Sequence, residues 1–192
     1  MTAQLFTEGV KPGGLTSGTE IRILLCYILN NVTLPVSRKQ LEDVLLGEEL
    51  ANYFAMADSM AQLMDQGLVT ESKAGYTLTE EGKTVAQTLG EEVPRSVRET
   101  AVRGVIRAQQ YEAKAASNKS EVIKDESGRL VRCSIGDETG ALFRLELYMP
   151  DDLSANTVRE TFIDKGDEVY KLVLAALTNN KLLAEESLKK LK

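Results

Sequence analysis

The chain has 192 residues, of which 43% are hydrophobic and 27% charged, and its formal net charge is −6. This composition is typical of a globular protein, and the length allows one large or two small domains. Histidine is absent, which excludes serine–histidine and cysteine–histidine catalytic pairs as well as imidazole metal ligands.

Other absences narrow the function classes further. The longest apolar runs are far shorter than the roughly twenty residues that a membrane-spanning helix needs, and the amino terminus does not resemble a signal peptide. We therefore expect a cytoplasmic protein with no membrane segment. Cys26 and Cys133 lie far apart among apolar neighbours, so we expect buried free thiols. Because no phosphate loop, Rossmann fingerprint or nucleophile elbow occurs, we predict a binding protein rather than an enzyme, with no cofactor and no metal site.

The first half of the chain has the pattern of short helices after a leader. Residues 1–18 are predicted to be a flexible leader. A helix follows over residues 19–31, with Thr19 as its cap and apolar residues at helical spacing. A second helix is predicted over 37–47, because Ser37 and Gln40 match a capping box.

A third helix is predicted to follow residues 48–53 and to end at Gly67, since glycine adopts the left-handed conformation at little cost. We expect its inner face to consist of Phe54, Ala57, Met60, Ala61 and Met64. We expect its outer face to consist of Ala55, Asp58, Ser59, Gln62 and Asp65.

The residues after Gly67 have the pattern of a β-hairpin. Strands are predicted over 68–70 and 76–78, joined by a polar loop over 71–75, and Thr79 is placed to cap the next helix. Three short helices, a two-stranded wing and another helix make a winged helix-turn-helix domain, which we assign to residues 19–92. Its third helix occupies the position that reads the major groove of DNA.

The charge of this half argues against simple DNA binding. Up to Glu92 there are six basic and thirteen acidic residues, a formal charge of −7, and the third helix has no lysine or arginine. A domain with few cations neutralises few phosphates, so counterion release adds little to its affinity for DNA. The candidate DNA contacts for phosphates are Arg38, Lys39 and Lys73. Those for the groove are Asn52 and Tyr53, just before the third helix, and Ala55, Ser59 and Gln62 on it. Because the basic residues are scattered, a solvated surface explains them slightly better than phosphate contact does.

Residues 93–192 are predicted to form a dimerisation or sensor domain. Pro94 suits a helix start, and one long linking helix is expected to reach about Ser117, with basic residues along one side. Strands are predicted over residues 121–126, 129–135 and 141–148, as an antiparallel sheet with one apolar face. A helix capped by Ser154, with a break at Gly166, is expected to cover that face. The last eleven residues could form a short helix or a frayed tail.

A family resemblance is carried by a series of short motifs in a fixed order. These are Leu34-Pro35, Asn52-Tyr53-Phe54, Gly67-Leu68, Tyr76 to Gly82, Pro94, Met149-Pro150 and Tyr170. In this order they resemble a bacterial winged-helix family labelled domain of unknown function 4364. The resemblance implies an α+β protein with a helix–sheet–helix second domain. It also implies a DNA-binding transcriptional regulator, and it identifies no ligand or catalytic residue.

Three functions remain open from the sequence. The first is a dimeric cytoplasmic regulator that binds double-stranded DNA. The second is a winged-helix module that binds a protein partner and no DNA. The third is a small-molecule sensor between the predicted sheet and its covering helix, although core packing is the better explanation of the apolar residues there.

Overall fold

The protein is described by a computed structural model over residues 9–125, 128–137 and 140–191. In these residues the chain forms seven α-helices, a two-stranded antiparallel sheet and a three-stranded antiparallel sheet. The chain divides into two compact units, Met1–Gln109 and Gln110–Lys192, and each has its own hydrophobic core. The predicted α+β class is confirmed.

The first unit has a mainly helical architecture. Its elements are α1 (Gly18–Asn30), α2 (Arg38–Gly47), α3 (Tyr53–Asp65), β1 (Val69–Ser72), β2 (Gly75–Leu78), α4 (Glu80–Leu89), a 3-10 turn (Gly90–Glu92) and the first part of α5 (Arg95–Ser117). The helix α1 is central to the core, and its buried residues are Ile21, Ile23, Leu24, Leu25, Cys26, Ile28 and Leu29. From α5, Val97, Ala101 and Val105 pack into the same core.

Part of the predicted leader is packed against this unit. Leu15 is buried, and its N–H donates to the carbonyl of Leu50 at 2.8 Å. Lys11 N–H likewise donates to the carbonyl of Glu49 at 3.0 Å. Residues 1–8 of the predicted leader lie outside the described residues. The described part therefore does not form a free arm.

Ser37 and Thr79 cap the starts of α2 and α4, as the sequence predicted. The Ser37 hydroxyl accepts from Gln40 N–H at 3.1 Å, and the Gln40 side chain accepts from Ser37 N–H at 2.9 Å, which completes the capping box. Thr79 caps α4 by accepting from Gly82 N–H at 3.1 Å. The predicted cap of α1 is wrong, since this helix begins at Gly18 and Ser17 is the cap residue without a side-chain bond.

The hairpin of β1 and β2 is held against the segment before α2. The two strands pair from Val69 opposite Leu78 to Ser72 opposite Gly75, so only Lys73 and Ala74 connect them, fewer than the predicted three to five loop residues. Val36 forms an antiparallel bridge to Tyr76, with N–H···O distances of 3.1 and 2.9 Å in the two directions. These two bonds fix the hairpin beside the start of α2.

The second unit is a sheet with a helix on one face. Its elements are the last part of α5, β3 (Asn118–Asp125), β4 (Gly128–Asp137), β5 (Gly140–Met149), α6 (Asp152–Leu177) and α7 (Lys181–Leu191). The strand order is β3-β4-β5, and all pairs are antiparallel. The helix α6 covers the apolar face, where Val131, Cys133 and Phe162 are buried. Residues 126–127 and 138–139 of the predicted turns lie outside the described residues.

The ends of α6 differ in part from expectation. The cap is Asp151 rather than Ser154, since the Asp151 carboxylate accepts from Ser154 N–H at 2.7 Å. The predicted break near Gly166 occurs one residue earlier, where Lys165 has the non-helical angles φ −132° and ψ 21°. Of the alternatives for the carboxyl-terminal segment, the structure has the helix α7.

Both cysteines are buried with free thiols, as predicted. Burial raises the pKa of the Cys26 thiol to about 11. In the part of the chain that the structure describes, no cluster of three His, Cys, Asp or Glu side chains could hold a metal ion. None of the described helices combines the length and apolar character needed to cross a membrane.

Replacing Gly75 by alanine should destabilise the first unit. Gly75 has φ +127°, and a Cβ there would lie 2.5 Å from the carbonyl oxygen of Val36, at the bridge that holds the hairpin. We expect Gly75→Ala to lower the free energy of unfolding by about 1–3 kcal/mol, measured by urea titration.

Gly47→Ala is the matched control. Gly47 lies in α2, and a Cβ there would have no atom within 4 Å. Because alanine is the better helix former by about 1 kcal/mol, this variant should be unchanged or slightly more stable. Equal stability of the two variants would contradict the strain at Gly75.

Acid should weaken the second unit through Asp152. Its carboxylate lies 2.7 Å from Arg129 Nε and 3.1 Å from Lys124 Nζ, and these hydrogen bonds lower its pKa from 3.8 to about 2. The ionised form is favoured by folding, so its stabilising effect is complete above pH 3.8 and is lost as the pH falls towards 2. We expect Asp152→Asn to remove this part of the pH dependence of the free energy of unfolding.

The control for that measurement is Glu160→Gln, which removes an exposed carboxylate from the same helix. Between pH 7 and 2, its free energy of unfolding should depend on pH in the same way as that of the wild type. If Asp152→Asn and Glu160→Gln give the same slope, the interaction of Asp152 with Arg129 and Lys124 has no energetic effect.

Candidate nucleic-acid interface

The helix α3 is partly buried against α1 and partly open to solvent. Its buried residues form one stripe along the helix, namely Ala55, Met56, Ser59, Met60 and Leu63. Its exposed residues are Tyr53, Phe54, Asp58, Ala61 and Asp65. We call this exposed set, together with the half-buried Ala57 and Gln62, the outer face of α3.

The structure corrects the predicted faces of this helix. Ala55 and Ser59 were expected outside but are 0% and 1% exposed, and the Ser59 hydroxyl donates to the carbonyl of Gly18 at 3.4 Å. Phe54 and Ala61 were expected inside, but both are exposed, Phe54 to 65%. The buried side of α3 has the small side chains of Ala55 and Ser59, whereas the larger side chain of Phe54 projects outward. Ala55 and Ser59 are therefore not available to a ligand in the folded unit.

The start of α3 is linked to the start of α2. Asn52 caps α3, since its side-chain oxygen accepts from Phe54 N–H at 2.8 Å. The Tyr53 hydroxyl accepts from a terminal N–H of Arg38 at 2.6 Å, and the guanidinium carbon lies 5.8 Å from the centre of the Tyr53 ring. Three of the predicted contact residues, Arg38, Asn52 and Tyr53, are thus close together.

Both cations at the start of α2 have an acidic neighbour. Arg38 Nε donates to Glu42 at 2.7 Å, a bond that raises the pKa of the guanidinium and keeps it protonated. Lys39 Nζ lies 3.9 Å from Asp43, and its side chain is 79% exposed. Since exposed ion pairs of this kind contribute little to stability, either cation can exchange its carboxylate for another anion.

A second polar group lies further along α3. Gln62 donates from Nε2 to Asp58 at 2.8 Å, and its side-chain oxygen accepts from Arg22 of α1. Arg22 also donates to the Thr19 hydroxyl at 3.0 Å. Arg22 was not a candidate in the sequence, because the only signal for it is its contact with a residue forty positions away. The structure thus brings a cation to a helix that has none of its own.

Lys73 lies in the hairpin connection, where it is exposed. Within the described residues, its ammonium group has no salt-bridge partner. The hydroxyl of the adjacent Ser72 accepts from Ala74 N–H at 3.2 Å and donates to the carbonyl of Gly75 at 3.1 Å. These bonds fix the backbone on both sides of Lys73, while its side chain extends into solvent.

An apolar cleft of about 140 Å³ lies between α2, α3 and β2. Its lining consists of Arg38, Leu41, Met56, Ala57, Met60, Ala61, Met64 and Tyr76. The three methionines recur every four residues along α3. Unbranched methionine side chains adapt to different apolar surfaces, so this cleft can accept an apolar side chain of another molecule.

Comparison with known proteins assigns most of the chain to a family. A family model described as Domain of unknown function (DUF4364) matches residues 21–177. No curated protein and no solved structure matches the chain. The matched segment runs from the first turn of α1 to the end of α6, and therefore includes both the hairpin and the three-stranded sheet.

The corrected face of α3 can be tested with neighbouring substitutions. Ser59→Arg would force a charge into the contact between α3 and α1, so we expect the free energy of unfolding to fall by more than about 3 kcal/mol. Asp58→Arg changes an exposed residue and should stay within about 0.5 kcal/mol of wild type. Urea titration of both variants checks this. Equal tolerance would contradict the burial of Ser59.

Proposed function

The chain belongs to the family described as domain of unknown function (DUF4364), and from its geometry we propose a dimeric, cytoplasmic, DNA-binding transcriptional regulator without enzymatic activity. In this proposal residues 19–92 are a winged helix-turn-helix domain. The bridge between Val36 and Tyr76 is the observation that carries it. Because of this bridge the hairpin lies beside the start of α2, as a wing must if both are to contact one duplex.

The proposed contacts are the predicted residues without Ala55 and Ser59. The outer face of α3 enters the major groove, where Tyr53 and Gln62, together with the cap residue Asn52, offer hydrogen bonds to base edges. Arg38 and Lys39 at the start of α2 contact phosphates, as does Lys73 on the wing. The Tyr53 hydroxyl already accepts from Arg38 and so orients its guanidinium.

Charge makes two protomers necessary. Each first half has a formal charge of −7 up to Glu92, and α3 has no lysine or arginine. Three phosphate contacts per protomer become six in a dimer. Six contacts correspond to a slope of roughly −5 for the logarithm of affinity against the logarithm of salt concentration. Binding is therefore expected at low salt and should weaken steeply as salt rises.

A second function is favoured by one feature of α3. Phe54 is 65% exposed, and the methionine-lined cleft lies beside the same helix. Exposed aromatic residues and methionines are enriched in protein interfaces. A winged-helix module that binds a protein partner and no DNA would use Phe54 and the cleft, and it would not need the basic residues.

A double charge reversal separates the two functions. We expect Arg38→Glu with Lys39→Glu to lower affinity for a mixed-sequence duplex at least about a hundredfold at low salt, since two phosphate contacts per protomer become repulsive. Fluorescence anisotropy with labelled duplex over a salt series measures this. Circular dichroism should show an unchanged fold, because both side chains are exposed.

The control is Lys189→Glu with Lys190→Glu, which makes the same change of charge on α7. Its duplex affinity should stay close to that of the wild type. If the wild type does not bind duplex at low salt, the DNA-binding proposal fails. If Phe54→Ala then abolishes capture of a protein partner, the second function stands in its place.

A further inference from the structure

The strand β5 is a long edge of the sheet in the second unit. The order β3-β4-β5 pairs β5 with β4 on one side, and in the described chain no strand pairs with its other side. The helix α6 packs mainly on β3 and β4. The ten residues of β5 therefore present a row of backbone N–H and C=O groups, which is a template for another strand.

The sequence of β5 is chemically self-complementary about Leu145. In an antiparallel pair of two β5 strands centred there, each residue lies opposite the one that is equally far from Leu145 on the other strand. Arg144 then lies opposite Glu146, Phe143 opposite Leu147, and Leu142 opposite Tyr148. Opposite charges and apolar partners are the cross-strand pairs that stabilise a sheet.

We propose that β5 is the interface through which two copies of this chain form a dimer, as a continuous six-stranded antiparallel sheet with its two-fold axis at Leu145. The occupant of the edge is thus a second copy. The interface does not depend on DNA binding, and it lies within residues 140–149. It supplies the dimer that the proposed function requires.

The charges on the open face of the sheet support this pairing. Arg144 is exposed, and in the described residues no carboxylate lies within salt-bridge distance of it. Glu146 is exposed too, and it binds Arg132 of the neighbouring strand at 2.6 Å. Across the two-fold axis Arg144 would meet Glu146 of the partner subunit, which gives two new ion pairs per dimer. Each new ion pair would join an existing series of ion pairs, because Glu146 binds Arg132 and Arg132 lies 2.9 Å from Glu121.

Apolar groups on both faces favour the same register. On the open face, Leu142 is 67% exposed and Tyr148 is 61% exposed. The pairing places Leu142 of each copy against Tyr148 of the partner subunit. On the covered face, Phe143, Leu145 and Leu147 are half-buried. Pairing would bring Phe143 next to Leu147 of the partner subunit, which extends the core beneath α6 across the axis.

Two single charge reversals and their mixture test the register. In the Arg144→Glu homodimer, two carboxylates would face each other at both pairs. In the Glu146→Arg homodimer, two guanidinium groups would do so. We expect either change to raise the dimer dissociation constant about tenfold or more, measured by sedimentation equilibrium. When the two variants are mixed, both pairs become complementary, so native mass spectrometry should show mainly the heterodimer.

The matched control is Lys119→Glu on β3, the opposite edge of the same sheet. Lys119 is exposed, and its change of charge equals that of Arg144→Glu. This control should keep the wild-type dissociation constant. Circular dichroism melting curves confirm that all variants are folded.

The proposal fails if the wild type is still monomeric at about 100 μM. It also fails if Lys119→Glu and Arg144→Glu change the dissociation constant equally, or if the mixture of Arg144→Glu and Glu146→Arg shows no preference for the heterodimer. Because all measurements are made without DNA, a failure here is distinct from a failure of duplex binding. A dimer that forms normally but binds no duplex would leave this interface intact and refute only the proposed function.

Discussion

Two hydrogen bonds between Val36 and Tyr76 fix the position of the hairpin beside the start of α2 in the first unit. They attach a short hairpin to the segment that leads into α2, where Arg38 begins the helix and contacts Tyr53 at the start of α3. An isolated two-stranded hairpin is marginally stable in water, so the bridge and the packing of Tyr76 give it a fixed place. Gly75 allows this close approach, because any side chain there would meet the carbonyl of Val36.

The same surface shows how charge and packing limit its chemistry. α3 has no cation, and its neighbours Arg38 and Lys39 are each paired with a carboxylate of their own helix. Two cations reach α3 from other helices, since Arg22 of α1 contacts Gln62 and Arg38 of α2 contacts Tyr53. A surface of this kind attracts a polyanion weakly. The binding of a polyanion to this surface would therefore gain from two copies acting together.

Features set by neighbouring residues could be predicted from the sequence. The capping box of Ser37 and Gln40, the left-handed Gly67 with φ 69° and the cap at Thr79 depend on interactions within three or four positions. The faces of α3 could not be predicted in the same way. Phe54 and Ser59 exchange their expected places because the contact with α1 favours small side chains, and that contact is not encoded in the periodicity of α3 alone. The pairing of Arg22 with Gln62 is equally non-local.

The two buried thiols have a practical meaning for experiments on this protein. Cys26 lies in the core of the first unit and Cys133 in that of the second, and both are 0% exposed. A thiol reagent attacks the thiolate, which burial disfavours, so labelling requires each core to open. Each half of the molecule therefore contains its own native probe, and the opening of one core can be timed separately from that of the other by identifying the modified peptide.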